Sequence, residues 1–79
     1  MTAALEAWLI ARVSADAGLP LAAVDAHTPL YRYGLDSRQL AFIVENVETA
    51  FGLEADLDRI SPAEPISVLV RVLRPLPAA

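Results

Sequence analysis

The segment from Ser37 to Phe51, fenced by Gly34 and Gly52, limits the folds open to this chain more than any other stretch. At 100° per residue counted from Leu40, the side chains of Leu40, Ile43, Val44, Val47 and Phe51 fall within about 60° of one direction. The opposite side carries Arg38, Phe42, Glu45 and Thr49, with Glu48 on its flank. An apolar stripe of that width has to be buried, so the spacing predicts a helix about 22 Å long, packed on other helices and stopped by Gly52. Phe42 stands out as an aromatic on the face turned away from the core. Either the first loop or a chain end covers it, or it is offered to a partner.

The four residues entering this helix, Gly34-Leu35-Asp36-Ser37, are the chemically suggestive ones. Gly34 permits a backbone turn that other residues resist, and Leu35 can plug a core. Asp36 and Ser37 are both good capping types. A hydroxyl at that place points into solvent at the positive end of a helix, where unpaired N–H groups and the helix dipole favour a phosphate. It suits a serine that must carry a phosphodiester. The plainer alternative is that Asp36 or Ser37 is only an N-cap after a glycine turn.

The remaining chain supplies helices for this one to pack on. Leu5, Trp8, Leu9 and Val13 share one face of a helix that Thr2 can cap and that runs to about Ala17, with Gly18 as its stop. Arg12 falls inside the stripe and is expected to reach outward to Asp16. Trp8 reads as a core aromatic. From Leu19 to Gly34 there is no sustained period, which predicts a long loop with one short turn opened by Pro20 and running through Val24. A connection this long is expected to pack its own Leu19, Leu21, Val24, Leu30 and Tyr33. Leu53, Leu57 and Ile60 alternate with Glu54, Asp56 and Asp58, suggesting a short helical turn with an acidic outer surface. Ser61-Pro62-Ala63-Glu64 reads as a capping box, although Pro65 can instead be the first residue of the last helix. Ile66, Leu69, Val70 and Leu73 repeat at helical spacing, and Pro75 and Pro77 end that helix. A loose tail is expected over about 75–79.

Composition removes several kinds of chemistry. The 79 residues include no cysteine and a single histidine, which excludes disulfides, thiolate catalysis, zinc–thiolate sites and multi-histidine metal sites. Ten acids against six arginines, with no lysine, leave a formal charge of −4. That balance argues against nucleic acid or an anionic membrane surface as partner and suits a basic protein surface. With 56% apolar residues, the chain can build one small core, and one domain over 1–79 is expected. No basic region precedes the first apolar residues and no apolar run approaches a membrane span, so a soluble, monomeric cytoplasmic protein is the expectation. His27 invites comparison with a serine hydrolase using Ser37 and Asp36. Adjacent aspartate and serine at one helix start cannot easily place a histidine between them.

The order of these parts resembles the acyl carrier and peptidyl carrier protein family over nearly the whole chain. Thr28-Pro29-Leu30-Tyr31-Arg32-Tyr33-Gly34-Leu35-Asp36-Ser37-Arg38-Gln39-Leu40 looks like that family's "pLxxlGlDSl" segment, and Phe51-Gly52-Leu53 like the usual end of its second helix. The resemblance implies an all-α bundle of three main helices plus a short helix, with a long first loop. It implies 4′-phosphopantetheine on Ser37, Asp36 helping to present that serine, and a carrier without catalytic activity of its own; the start at Met1 and the short tails favour a free-standing one. Implied partners are a phosphopantetheinyl transferase, an acyl- or aminoacyl-loading enzyme and a downstream synthase or transferase. They would dock on the outer face of the second helix, at Arg38, Phe42, Glu45, Glu48 and Thr49. Arg38 stands where the family usually has an apolar residue, and Phe42 where a polar or acidic one is frequent. Both departures point to polyketide or nonribosomal peptide pathways rather than fatty acid synthesis. Arg38 also leaves open an unmodified carrier-like interaction module.

Overall fold

In the computed structural model, which describes residues 2–76, the first sixteen residues of that range, Thr2–Ala17, form helix α1. Its stripe of Leu5, Leu9 and Val13 is buried, and Trp8 lies half-buried beside it. Trp8 meets Phe51 edge to face at a centroid distance of 6.3 Å, the arrangement that aromatic quadrupoles prefer. Gly18 ends the helix at φ 68°, where the amide of Leu19 donates to the carbonyl of Ser14 at 3.0 Å and that of Gly18 to Ala15 at 3.4 Å. This left-handed closure satisfies two carbonyls that the last turn would otherwise leave unpaired. Thr2 is the first helical residue rather than the cap, and the position before it lies outside the described residues. Arg12 pairs with Asp16 at 3.1 Å as expected, and its guanidinium also donates to Asn46 Oδ1. The stripe-breaking arginine is therefore a polar strap between the first two long helices.

The long connection that follows is packed, as its apolar residues demanded. Short 3-10 turns occupy Leu21–Ala23 and Leu30–Tyr33. Val24 and Leu30 enter the core, and Tyr33 rests against it. The Tyr33 hydroxyl accepts from the amide of Asp25 at 2.8 Å and donates to its carbonyl at 3.2 Å, closing the loop on itself. Leu21, expected to pack, is 59% exposed. Val24, just past that single turn, takes the core position and Leu19 before it is half-buried, while Leu21 faces out.

Helix α2 covers Ser37–Phe51 and buries Leu40, Ile43, Val44 and Val47. Each such side chain removed from water contributes about 1.5–3 kcal/mol, which is why its stripe sets the architecture. After Gly52 comes strand β1 (Leu53–Glu54), then a 3-10 turn at Leu57–Arg59, then a separate turn closed by the amide of Glu64 on the carbonyl of Ser61 at 2.9 Å. Helix α3 spans only Ile66–Val72, so Ser61 to Glu64 is not its capping box. Pro65 is the reason: it disfavours helical backbone at Glu64 and itself stands extended, one place ahead of the first helical residue. The start of α3 is tied by the amide of Ser67, which donates to the Ala26 carbonyl in the first connection at 2.9 Å.

α3 stops at Val72, earlier than the prolines alone required, because the chain turns extended into strand β2 (Arg74–Pro75). β2 pairs antiparallel with β1, Leu53 opposite Pro75 and Glu54 opposite Arg74. The amide of Leu76 donates to the Gly52 carbonyl at 3.1 Å. Of the tail expected from about position 75, Pro75 is thus paired in the strand and Leu76 hydrogen-bonded, while Pro77, Ala78 and Ala79 lie outside the described residues. The fold is mostly helical, with three helices around one core as expected; the small sheet is an addition, and the extra helix is a 3-10 turn. The two connections meet where Pro29 bridges Pro65, with Leu30 donating to Glu64 at 3.2 Å and Tyr31 to Pro62 at 2.8 Å. Both are thereby gathered near the start of α2. No helix among the described residues is long and apolar enough to cross a membrane.

Candidate functional site

The start of α2 is built by four successive constraints. Gly34 takes φ 79°, a left-handed conformation that costs a side-chain-bearing residue about 1–2 kcal/mol. Its amide donates to the Tyr31 carbonyl at 3.0 Å, closing the 3-10 turn. Leu35 then drops into the core at 3% exposure and anchors the bend. Asp36 is extended and is the N-cap: its Oδ1 accepts from the amide of Gln39 at 2.9 Å, and its own amide donates to Gln39 Oε1 at 3.0 Å. This reciprocal box settles which residue caps the helix. Ser37 is the first helical residue, exposed, and its hydroxyl takes no part in the cap.

Electrostatically the position is mixed rather than acidic. The amide of Gln39 is taken by Asp36, which leaves the amides of Ser37 and Arg38 at the helix start without a helical acceptor, where the dipole is positive. Asp36 precedes Ser37 and Arg38 follows it, both exposed, and no ion pair among the described residues involves either. Next to Ser37 opens an apolar cleft of about 180 Å³. Leu40, Ala41 and Val44 of α2 line one side of it, and Leu57 and Ile60 form the facing wall.

The other singled-out residues divide into two groups. Arg38, Phe42, Glu45 and Thr49 are exposed on the outer face of α2, and at 58% exposure Phe42 is not covered by the first loop. The Thr49 hydroxyl donates back to the Glu45 carbonyl at 3.2 Å. Glu48 is different: it is half-buried, and its Oε2 accepts from the amide of Ala55 at 3.0 Å, fastening the chain after β1 to α2. His27 sits in the exposed loop, where its amide donates to Asp25 Oδ1 at 2.7 Å, and no hydrogen bond among the described residues links it to Ser37. Among the described residues there is no cluster of histidine and acidic side chains able to hold a metal ion. Three neighbours of Ser37 escaped the sequence reading: Gln39, Leu57 and Ile60. The Asp-x-x-Gln spacing of Asp36 and Gln39 was a legible capping signal, whereas nothing local marks Leu57 and Ile60 as a wall facing Ser37.

Residues 7–73 match the sequence profile of the phosphopantetheine attachment site family. The chain belongs to this family of carrier proteins. No curated protein and no solved structure gives a significant match. Carriers of this family bear 4′-phosphopantetheine covalently on a serine, are in general not catalysts themselves, and work with a phosphopantetheinyl transferase and partner synthases. The group needs a solvent-facing hydroxyl and room for an anionic phosphodiester. The exposed first residue of α2, with helix-start amides and Arg38 beside it, fits both requirements.

Proposed function

We propose that this chain carries 4′-phosphopantetheine on Ser37 and holds an acyl or aminoacyl intermediate for a polyketide or nonribosomal peptide type of secondary metabolism. The observation that carries the reading is the hydroxyl of Ser37, which stands exposed and outside the Asp36–Gln39 cap in a chain of the carrier family. When bound, the group supplies a terminal thiol on a flexible arm, the sulfur that a cysteine-free chain lacks. At loading, Ser37 Oγ bonds to the pantetheine-side phosphorus of coenzyme A as the pyrophosphate bond to that phosphorus breaks, 3′,5′-adenosine bisphosphate leaves and the serine proton passes to a base of the transferase, to which the exposed Asp36 helps present the hydroxyl. The chain itself catalyses nothing; by tethering its cargo it raises the local concentration at each docked enzyme. The outer face of α2, with Arg38 and Phe42 exposed one turn apart, is the surface this reading offers to those enzymes. On that face Glu45 is the one exposed acid, since Glu48 is half-buried with an oxygen accepting from the Ala55 amide, and so thin an acidic surface supports secondary metabolism over fatty acid synthesis.

The test is intact mass after incubation with a promiscuous phosphopantetheinyl transferase, magnesium and coenzyme A. One added arm is expected on the parent chain and none on Ser37→Ala. An unmodified parent with a folded helical spectrum would overturn the assignment in favour of an interaction module.

A further inference from the structure

We propose that Gln39 is a positioning residue for loading of Ser37, acting through Asp36. This inference rests on the carrier reading above and deepens it. A reciprocal pair heads α2: Gln39 Oε1 accepts from the amide of Asp36 at 3.0 Å, while the amide of Gln39 donates to Asp36 Oδ1 at 2.9 Å. Each bond fixes a different part of Asp36. The first holds its backbone in the extended conformation, φ −100° and ψ 179°, that delivers Ser37 as the first helical residue. The second holds the carboxylate by Oδ1 only, and no hydrogen bond among the described residues engages Oδ2 of this exposed side chain. Gln39 itself is half-buried, unlike the exposed Asp36, Ser37 and Arg38 around it. A half-buried side chain has fewer conformers to lose, so it is the natural fixed point of the four.

Without the Gln39 side chain, the Asp36 amide loses its acceptor and the Asp36 backbone one of its two restraints. Asp36 can still cap through the Gln39 amide, since that bond uses backbone, so the helix survives. What is lost is the joint orientation of the Asp36 carboxylate and the Ser37 hydroxyl, and misplacement of a reacting group by about 1 Å can cost on the order of a hundredfold in rate. The role is therefore distinct from stability, which another good helix former at this position largely preserves.

The experiment measures steady-state loading of the full chain by a promiscuous transferase, with coenzyme A and magnesium, for the parent, Gln39→Ala, Gln39→Glu and Ser37→Ala, beside the thermal midpoint of each. The expected result is a kcat for Gln39→Ala lower by about tenfold or more with KM for the carrier changed little, at a temperature where the variant is fully folded. Gln39→Glu keeps the acceptor of the capping box and is expected to restore kcat, assayed at high salt to screen its added charge. A parental kcat for a folded Gln39→Ala, or a kcat for Gln39→Glu as low as that of Gln39→Ala, would overturn the inference while leaving the carrier reading intact. If the parent is not loaded at all, the carrier reading falls and this inference with it.

Discussion

The two connections that flank Ser37 are held in opposite ways. The first, between α1 and α2, is tied into the body of the protein: Leu30 is fully buried, Leu35 nearly so, Tyr33 clasps Asp25, and the amides of Leu30 and Tyr31 donate across to Glu64 and Pro62. The middle of the second hydrogen-bonds only within itself and reaches the core through the half-buried Ile60 alone. There the amide of Asp58 donates to the Asp56 side chain, that of Arg59 to the Asp56 carbonyl and that of Ile60 to Leu57, while Leu57 is 61% exposed. Its ends are clamped, by Glu48 on Ala55 and by Tyr31 on Pro62, so the segment is an arch resting on two supports. Local stability follows the number of buried apolar contacts and non-local hydrogen bonds, so the serine is approached from a fixed side and from a yielding one.

Three substitutions can break this contrast, each read by urea unfolding. Leu30→Ala empties a fully buried site and is expected to cost about 2–5 kcal/mol, a large share of the stability of a small domain. Gly34→Ala meets no atom within 4 Å, so its penalty is conformational. The left-handed cost, offset in part by a stiffer unfolded chain, gives about 1 kcal/mol net. Leu57→Ala removes a mostly solvated side chain and is expected to change stability by less than about 0.5 kcal/mol. A Leu57→Ala loss as large as that of Leu30→Ala would mean that the arch is as firmly built as the first loop.

Legibility in the sequence follows the same division. The bounds of α1 and α2 could be read because each has a helical apolar stripe and ends on a glycine that takes positive φ, both local signals. The pairing of Leu53–Glu54 with Arg74–Pro75 could not, since strands of two residues have no period and their partner lies twenty residues away in the chain. For α3 the apolar repeat was visible, but the run of prolines left its start ambiguous; the bonds that tie that start to the first connection, Ser67 to Ala26 and Leu30 to Glu64, are tertiary and leave no local signal. At the site, Asp36 and Ser37 were legible as capping types, and the structure assigns the cap to Asp36. The engagement of Glu48 by Ala55 and of Arg12 by Asn46 depends on tertiary placement, so charge patterning alone read both side chains as solvent-facing.

The pairing of β2 with β1 also makes α2 a ruler. Since the amide of Leu76 is fastened to the carbonyl of Gly52, a dye carried at position 76 is held beside the far end of the helix that Ser37 begins, about 22 Å away along its axis. Such a reporter would follow the swing of a tethered cargo by energy transfer without standing in the path of an enzyme that grips the serine.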